Sequence, residues 1–299
     1  MLRVLGLGDN VVDKYMHTHT MYPGGNALNF AVYAKMFGIE AGYLGVFGDD
    51  EAAIHVYNTA HELRLDLSHC RFHTGENGYA EVRLDDGDRV FIGSNKGGVS
   101  KKYPLRLTKM DREYIAGFDI VHTSIFSYVE DMLPFVRDAA GFVSMDFSDC
   151  VDDAYLRRCL PFIDCASISC GDMPRNEILN QIEQIREYGC RHIVIATRGS
   201  KGALVSVDGT LYEQSPCLVA ATDTMGAGDS FITCFLINYV DAMKDARDFP
   251  VVSGDRGTTT IVDYQKLVVK TSLYRAAVYS ACNCQKEGAF GFGKVFYIQ

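Results

Sequence analysis

The stretch Asp223-Thr224-Met225-Gly226-Ala227-Gly228-Asp229, followed by Ser230-Phe231-Ile232, carries the most information about the fold of this chain. The small residues at 226 to 228 allow the backbone to approach a ligand closely. The apolar residues that follow predict a buried helix that begins near Gly228. Such a helix start presents free N–H groups and the positive end of the helix dipole, and both favour an anion.

Asp229 lies just inside this predicted helix, next to the amides of the turn. A carboxylate there can accept a proton from a hydroxyl group while the amides stabilise developing negative charge. Phosphoryl transfer to an alcohol needs this combination. The alternative is a capped helix start with no ligand, and the spacing alone does not decide between the two.

Length and composition favour one ordinary globular domain over 1–299. A net charge of -9 argues against a nucleic-acid partner. The chain enters a strand pattern directly, with no signal-like or membrane-spanning segment, so we expect a cytoplasmic protein without a membrane partner. None of the ten cysteines forms a Cys-x-x-Cys pair, which favours buried reduced thiols over a metal site.

Strand and helix patterns alternate along most of the chain. The predicted strands are Val4–Gly8, Ala41–Val46, Ile120–Thr123, Phe142–Asp146, Ile163–Ser169 and His192–Thr197, with a hairpin over Ala203–Val207 and Thr210–Glu213. The predicted helices are Asn26–Phe37, Ala52–Leu63, Asp131–Ala139, Asn176–Tyr188, Gly228–Val240 and Gln265–Glu287. This order predicts an α/β fold with a doubly wound, mostly parallel sheet and helices on both faces. Ligands of such sheets bind at the carboxyl ends of the strands.

Three segments interrupt the alternation. Residues 11–22 and 78–94 are extended and more polar, and the second contains the turn Asp85–Asp88. We interpret these two segments as a small β-sheet lid. Residues 241–260 are polar, and we interpret them as a surface insertion between the last two helices.

A second glycine turn, Gly24-Gly25-Asn26-Ala27-Leu28-Asn29, also opens a helix. Asn26 is a candidate N-cap residue, and a capped helix with a tight turn is one interpretation. The other is a polyol site in which Gly24 and Gly25 admit a sugar and Asn29 bonds its hydroxyls. Asp9 follows the first strand, where it either forms the turn or grips sugar hydroxyls.

Three further stretches concern nucleotides. Thr197–Gly202 leaves a strand and is either an ordinary turn or a nucleotide contact. Gly6-Leu7-Gly8 lacks the third glycine of a dinucleotide fingerprint, because Val11 stands there. Gly288–Lys294 has P-loop spacing, but Val295 replaces the required Ser or Thr, so we treat the match as chance.

The two glycine turns, in this order, resemble the signatures of the ribokinase (PfkB) superfamily of carbohydrate and nucleoside kinases. The resemblance implies ATP as cosubstrate, with Mg²⁺ bridging its phosphates. It implies Asp229 as catalytic base, with an anion hole formed by the amides of Gly226, Ala227 and Gly228. The implied sugar-binding residues are Asp9, Gly24, Gly25, Asn29 and Asp229. The implied nucleotide-binding residues are Thr197, Gly199, Thr224, Gly226, Gly228 and Asn283. A monovalent cation near Asp223 and Thr224 is left open.

Softer similarities favour the fructosamine kinases within this superfamily, and a primary hydroxyl of a fructose-amino acid such as fructoselysine as the acceptor. They lie in 8–13, 88–91, 118–122 and 146–149. A fructokinase, a nucleoside kinase and a non-catalytic sugar sensor are the alternatives. We also expect a homodimer formed through the lid.

Two features leave questions about the ligands. Ser169-Cys170-Gly171-Asp172 stands where the superfamily usually has Asn-x-x-Glu, which puts its Mg²⁺ affinity in question. In the lid, Asp88 and Arg89 either meet a charged group of the substrate or form an ion pair with each other.

Overall fold

The computed structural model describes residues 1–85, 88–149, 152–246, 252–254 and 257–297. Within these ranges the strands alternate with helices over most of the chain. In chain order the strands are β1 Arg3–Gly8, β2 Val11–Tyr15, β3 Thr20–Gly24, β4 Glu40–Phe47, β5 Arg71–Phe72, β6 Gly78–Asp85, β7 Asp88–Ser94, β8 Ile120–Ser124, β9 Val143–Asp146, β10 Cys165–Ser169, β11 Ile193–Thr197, β12 Ala203–Val207, β13 Thr210–Gln214, β14 Val252–Gly254, β15 Gly257–Thr259 and β16 Lys294–Val295.

The helices start at recognisable signals in the sequence. Thr108 and Thr260 each form a capping box with the Asp three residues later, and the Asp50 carboxylate caps another helix. The helices are α1 Asn26–Met36, α2 Glu51–Glu62, α3 Gly98–Lys102, α4 Lys109–Ile115, α5 Leu133–Ala139, α6 Asp153–Cys159, α7 Arg175–Glu187, α8 Ala227–Asp245 and α9 Ile261–Asn283. In the described ranges, no helix is both long and apolar enough to span a membrane.

The main sheet has nine strands in the order β13-β12-β11-β10-β9-β8-β1-β4-β5. The pairs from β11 to β5 are parallel, and the hairpin β12–β13 adds an antiparallel edge. The strand order reverses at β1: β4 and β5 lie on one side of it, and β8 to β13 lie on the other. This is the pattern of a doubly wound sheet, in which ligands bind at the carboxyl ends of the strands. The predicted fold class is confirmed.

The sheet is buried on both faces. Successive residues of β1 point to opposite sides, so Val4 belongs to one apolar core and Leu5 to the other. Helices α1, α2, α8 and α9 contribute to the core that contains Val4, and α4 to α7 contribute to the core that contains Leu5. Both faces of the sheet therefore pack against apolar side chains. The polar residues lie at the ends of the strands, where they can form a site.

A second sheet, which we call the lid, has the order β16-β3-β2-β6-β7. Strands β2, β3, β6 and β7 correspond to the predicted segments 11–22 and 78–94. The sequence analysis missed β16, whose two residues pair with Met21 and Thr20. Residues 86 and 87 of the predicted turn lie outside the described residues.

The boundaries of the last two helices differ from the predicted ones. Helix α8 continues to Asp245, into the segment interpreted as an insertion, and the hairpin β14–β15 follows. Residues 247–251, 255 and 256 of that segment lie outside the described residues. Helix α9 begins at Ile261, four residues before the predicted start, because the capping box at Thr260 fixes its first turn.

Candidate active site

The first carboxylate of the site is Asp9, directly after β1. Its Oδ1 accepts hydrogen bonds from the hydroxyls of Ser124 at 2.7 Å and Ser127 at 2.8 Å, and from the amide of Ala27 at 3.2 Å. The side chain of Asp9 therefore caps helix α1 from a distant part of the chain. One oxygen is fixed by the protein, while Oδ2 faces Gly25.

The glycine pair before α1 is required by the packing of neighbouring groups. A Cβ on Gly24 would lie 2.5 Å from Oδ2 of Asp13, and a Cβ on Gly25 would lie 2.8 Å from the Cα of Asn10. Gly25 also has φ of 111°, in the region that favours glycine. The pair thus allows the start of α1 to approach the two carboxylates closely.

Asn26 is not the N-cap residue that the sequence analysis expected. The N-cap position is Gly25, and Asn26 is the first helical residue. Its Nδ2 donates to Oδ2 of Asp146 at 2.7 Å. The amide is free for this contact because Asp9 already satisfies the helix start.

Asn29 joins the two glycine turns. Its Nδ2 donates to Oδ2 of Asp229 at 2.7 Å, across 200 positions of sequence. Its Oδ1 is buried and has no hydrogen-bond partner within the described part of the chain. A buried acceptor without a donor is costly, so it indicates a ligand hydroxyl at this point.

Asp229 is partly exposed and lies in the first turn of α8. Withdrawal from water raises the pKa of its carboxyl to about 7, and the charge of Asp146 acts in the same direction. The hydrogen bond from Asn29 and the charge of Arg89 oppose this rise in pKa. A carboxylate with a pKa near neutrality is suited to accept a proton from an alcohol.

The turn before α8 has backbone amides without hydrogen-bond acceptors. Gly226 has φ of 70°, and a Cβ there would lie 2.2 Å from the hydroxyl of Tyr33. A Cβ on Gly228 would meet nothing within 4 Å. Among the described residues, the amides of Gly226 and Gly228 have no acceptor, whereas the amide of Ala227 donates to the carbonyl of Thr224 at 3.2 Å. Two of the three predicted amides are therefore available for an anion.

Asp229 lies beside a helix start with two unpaired amides and faces the first glycine turn through Asn29. This arrangement can support phosphoryl transfer to an alcohol. The family model for pfkB family carbohydrate kinases matches residues 3–290. The chain belongs to this family. It is an ATP-dependent carbohydrate kinase.

Two curated relatives and one solved structure illustrate the similarity. Fructosamine kinase FrlD of Bacillus subtilis (strain 168) is 36% identical over 299 residues, which is 100% of this chain and 96% of the relative. Fructoselysine 6-kinase of Escherichia coli (strain K12) is 33% identical over 238 residues, covering 79% and 89% of the two chains. Ribokinase from Giardia lamblia shares the fold, with a TM-score of 0.74, 14% identity and coverage of 97% and 95%.

Asp223 of this pfkB-family kinase is fully buried and held by donors of the protein. Its Oδ2 accepts from the Tyr15 hydroxyl at 2.5 Å and from the amide of Gly288 at 2.8 Å, and its Oδ1 accepts from the amide of Met225 at 2.9 Å. A carboxylate has about four acceptor positions, and three are filled by N–H and O–H groups. These three contacts explain the residue as a structural anchor between lid and turn.

The predicted nucleotide residues separate into two places. Thr197 and Gly199 lie at the carboxyl end of β11, where Gly199 has φ of 54° and open space beside it. Asn283 instead is buried behind the glycine turn, where its Nδ2 donates to Tyr33 at 3.1 Å and to the carbonyl of Met225 at 3.3 Å. Thr224 contacts the lid, as described below.

The Ser169–Asp172 stretch follows β10 at the same edge. Asp172 is exposed, and its Oδ1 accepts from Nζ of Lys201 at 2.6 Å. Lys201 lowers the pKa of this carboxyl. No group of three or more potential metal-ligating side chains exists among the described residues. Asp172, which stands where the superfamily usually has a glutamate, thus forms an ion pair with Lys201.

Sequence reasoning did not assign roles to Asp13 and Asp146, although both lie in the site. Burial raises the pKa of Asp13 to about 7, with Asp223 and Asp9 acting in the same direction. Burial also raises the pKa of Asp146, and Asp9 adds to this effect. Asp146 ends a predicted strand, and this position was the signal that could have placed it in the site. In a doubly wound sheet, ligands bind at the carboxyl ends of the strands.

Proposed function

We propose that this kinase phosphorylates the 6-hydroxyl of a fructosamine such as fructoselysine, using ATP with Mg²⁺. The observation that carries the catalytic part is Asp229, held by Asn29 at the start of α8 beside two free amides. The substrate part is supported by the names of the two relatives, which are a fructosamine kinase and a fructoselysine 6-kinase.

In the proposed reaction, the primary hydroxyl oxygen of the sugar forms a bond to the γ-phosphorus of ATP. The bond from that phosphorus to the β,γ-bridging oxygen breaks, and ADP leaves with the electron pair. Asp229 accepts the hydroxyl proton, and the amides of Gly226 and Gly228 stabilise charge on the phosphoryl oxygens. Mg²⁺ bound to ATP supplies further neutralisation of the phosphates.

The sugar would lie between the two glycine turns. Asn29 Oδ1 is the acceptor without a donor, and it would take a hydroxyl near the reacting end. Oδ2 of Asp9 and the carboxylate of Asp13 would take hydroxyls farther along the sugar. Gly24 and Gly25 contribute by letting the start of α1 pack closely against Asp13 and Asp9, since a Cβ on either glycine would clash there.

The nucleotide would lie along the carboxyl edge of the sheet from α8 towards β11. Thr197 and Gly199 would contact it at the open end, and Thr224, Gly226 and Gly228 at the phosphates. Asn283 would act by holding the turn through the carbonyl of Met225. Magnesium would reach the site with the nucleotide.

The experiment is ADP release with Mg-ATP across fructoselysine, other fructose-amino acids, fructose, ribose and nucleosides. A preference for one fructosamine in kcat/KM supports the proposal. Turnover restricted to a free sugar or a nucleoside would retain the kinase and reject the fructosamine. An Asp229→Asn control run in parallel distinguishes chemistry at this site from a contaminating kinase.

We also propose a homodimer that forms through the lid. Strand β7 lies at the edge of the lid sheet, and Phe91 and Ile92 on it are 56% and 53% exposed. An apolar, unpaired edge strand is a surface that proteins normally cover. Light scattering tests this proposal: a dimer mass supports it, and a monomer mass at assay concentration rejects it.

A further inference from the structure

Arg89 on lid strand β7 reaches across to the catalytic turn. Its Nη1 donates to the carbonyl oxygen of Thr224 at 2.9 Å. The neighbouring Asp88 accepts a hydrogen bond from the hydroxyl of Thr224 at 2.7 Å. The start of β7 is therefore fastened to the anion-binding turn, and the two lid residues contact Thr224.

The surroundings of Arg89 carry an excess of negative charge. Asp13 and Asp229 both feel its guanidinium, because Arg89 lowers the pKa of each carboxyl against the dominant effect of burial. Asp9 and Asp146 add further negative charge to the same region, since they raise the pKa values of these carboxyls. Arg89 is thus a lid cation placed within electrostatic reach of the proton acceptor.

Phosphoryl transfer brings a polyanion into this region. Repulsion between the carboxylates and the γ-phosphoryl oxygens must be offset, and a guanidinium would add positive charge to that of Mg²⁺ and the amides. A guanidinium has five N–H donors in a planar fork that matches phosphate oxygens. The bond to the carbonyl of Thr224 uses Nη1 and holds the guanidinium against the turn that precedes α8.

We propose that Arg89 is a further catalytic residue, whose guanidinium binds an oxygen of the transferring phosphoryl group. The lid then delivers both closure over the sugar and the charge that transfer requires. This inference rests on the kinase activity and not on the identity of the sugar. A competing role is recognition of the carboxylate in a fructose-amino acid.

The test compares Arg89→Gln, Arg89→Lys and Arg89→Ala with the control Arg83→Gln. Arg83 is exposed and lies on β6 of the same lid sheet, opposite Val90. We expect Arg89→Gln to lower kcat by about 10²- to 10³-fold, the usual effect of removing one donor to developing charge. Arg89→Lys should retain part of the rate, added guanidinium ion should partly restore Arg89→Ala, and Arg83→Gln should behave as the parent.

Two readouts separate phosphoryl binding from other roles. Calorimetry should show that Arg89→Gln weakens a non-hydrolysable ATP analogue more than ADP, because only the analogue carries the γ-phosphoryl group. At saturating acceptor, the loss in kcat should be the same for fructose and for a fructose-amino acid. If fructose is not turned over, the same comparison is made between acceptors with and without a carboxylate. Equal weakening of both nucleotides, a loss confined to carboxylate-bearing acceptors, or kcat unchanged in Arg89→Gln would overturn the proposal.

Discussion

The two glycine turns of this kinase have the same local pattern and different uses. At Gly24–Asn29 the helix start is capped by Asp9, and the spaces beside the glycines are filled by protein carboxylates and backbone. At Asp223–Asp229 the amides of Gly226 and Gly228 lack acceptors in the described residues, and the space beside Gly228 is open.

The difference separates a positioning turn from a binding turn. The first turn brings Asn29 to Asp229 and packs against Asp9 and Asp13. The second leaves its helix start unsatisfied, which prepares it for an anion. A glycine-rich helix start is therefore a ligand site only where the protein has not already supplied the capping group.

The largest expected effect comes from removing Asp229, the proposed proton acceptor of the second turn. Asp229→Asn should lower kcat by about 10²- to 10⁴-fold, the range for a positioned general base, with little change in ATP binding. Steady-state kinetics and nucleotide titration measure the two quantities. Asp241→Asn, an exposed carboxylate on the same helix, is the matched control and should leave both unchanged. Full activity in Asp229→Asn would exclude it as the base.

Alanine at one glycine of each turn tests the comparison directly. Gly25→Ala forces an unfavourable φ, which costs about 1–3 kcal/mol, and adds a clash with Asn10. Gly228→Ala enters open space within a helix and should be neutral or stabilising by up to about 1 kcal/mol. Urea unfolding should show a loss of stability for Gly25→Ala and none for Gly228→Ala. Gly228→Ala should instead raise the KM for ATP, because its Cβ enters the open space beside the proposed anion site. Equal destabilisation by both substitutions would remove the distinction between the turns.

The pH dependence follows from the raised pKa of Asp229. The base must be ionised, so kcat/KM should fall as the pH is lowered through about 7, by about tenfold per unit below it. Its unfolded pKa is 3.8, so the folded state retains a proton between pH 4 and 7 that the unfolded chain has lost. Stability from this group is therefore lost as the pH rises through that window.

Asp229→Asn should consequently raise the melting temperature at pH 8 and have a smaller effect at pH 4. Scanning calorimetry at the two pH values measures the difference. A variant that is less stable than the parent at pH 8 would show that the ionised carboxylate is well solvated or well paired, contrary to the geometry.

The smallest expected effect concerns monovalent cations. Since Asp223 is held by Tyr15 and two amides, replacing K⁺ by tetramethylammonium should change neither turnover nor the melting temperature. A K⁺-dependent rise in the melting temperature of the parent protein would show that a cation binds after all.

Local patterns predicted the main sheet, most of its helices and the residues of both turns, because apolar periodicity and turn chemistry act over short distances. The sequence could not show that Asp9 caps α1, since Asp9 and Ala27 meet only through the sheet. For the same reason Asn26 was assigned the cap. Contacts between distant segments decide which of several local options is used.

The short strand β16 and the capping box at Thr260 show two further limits. Two residues at β16 carry no periodicity, so their pairing with β3 depends on the fold around them. The Thr260–Asp263 capping box was present in the sequence and fixes the start of α9, but the polar composition before it obscured the boundary. Arg89 was noted in the sequence with Asp88, but its contact with Thr224 depends on the position of the lid.

The most direct test is phosphorus NMR of the product formed from fructoselysine and Mg-ATP. The account predicts ADP and a phosphomonoester whose phosphorus couples to the two protons of the C6 methylene, absent when Asp229→Asn replaces the parent enzyme. A phosphate on another hydroxyl, or ADP formed with no sugar phosphate, would contradict the placement of the primary hydroxyl against Asp229.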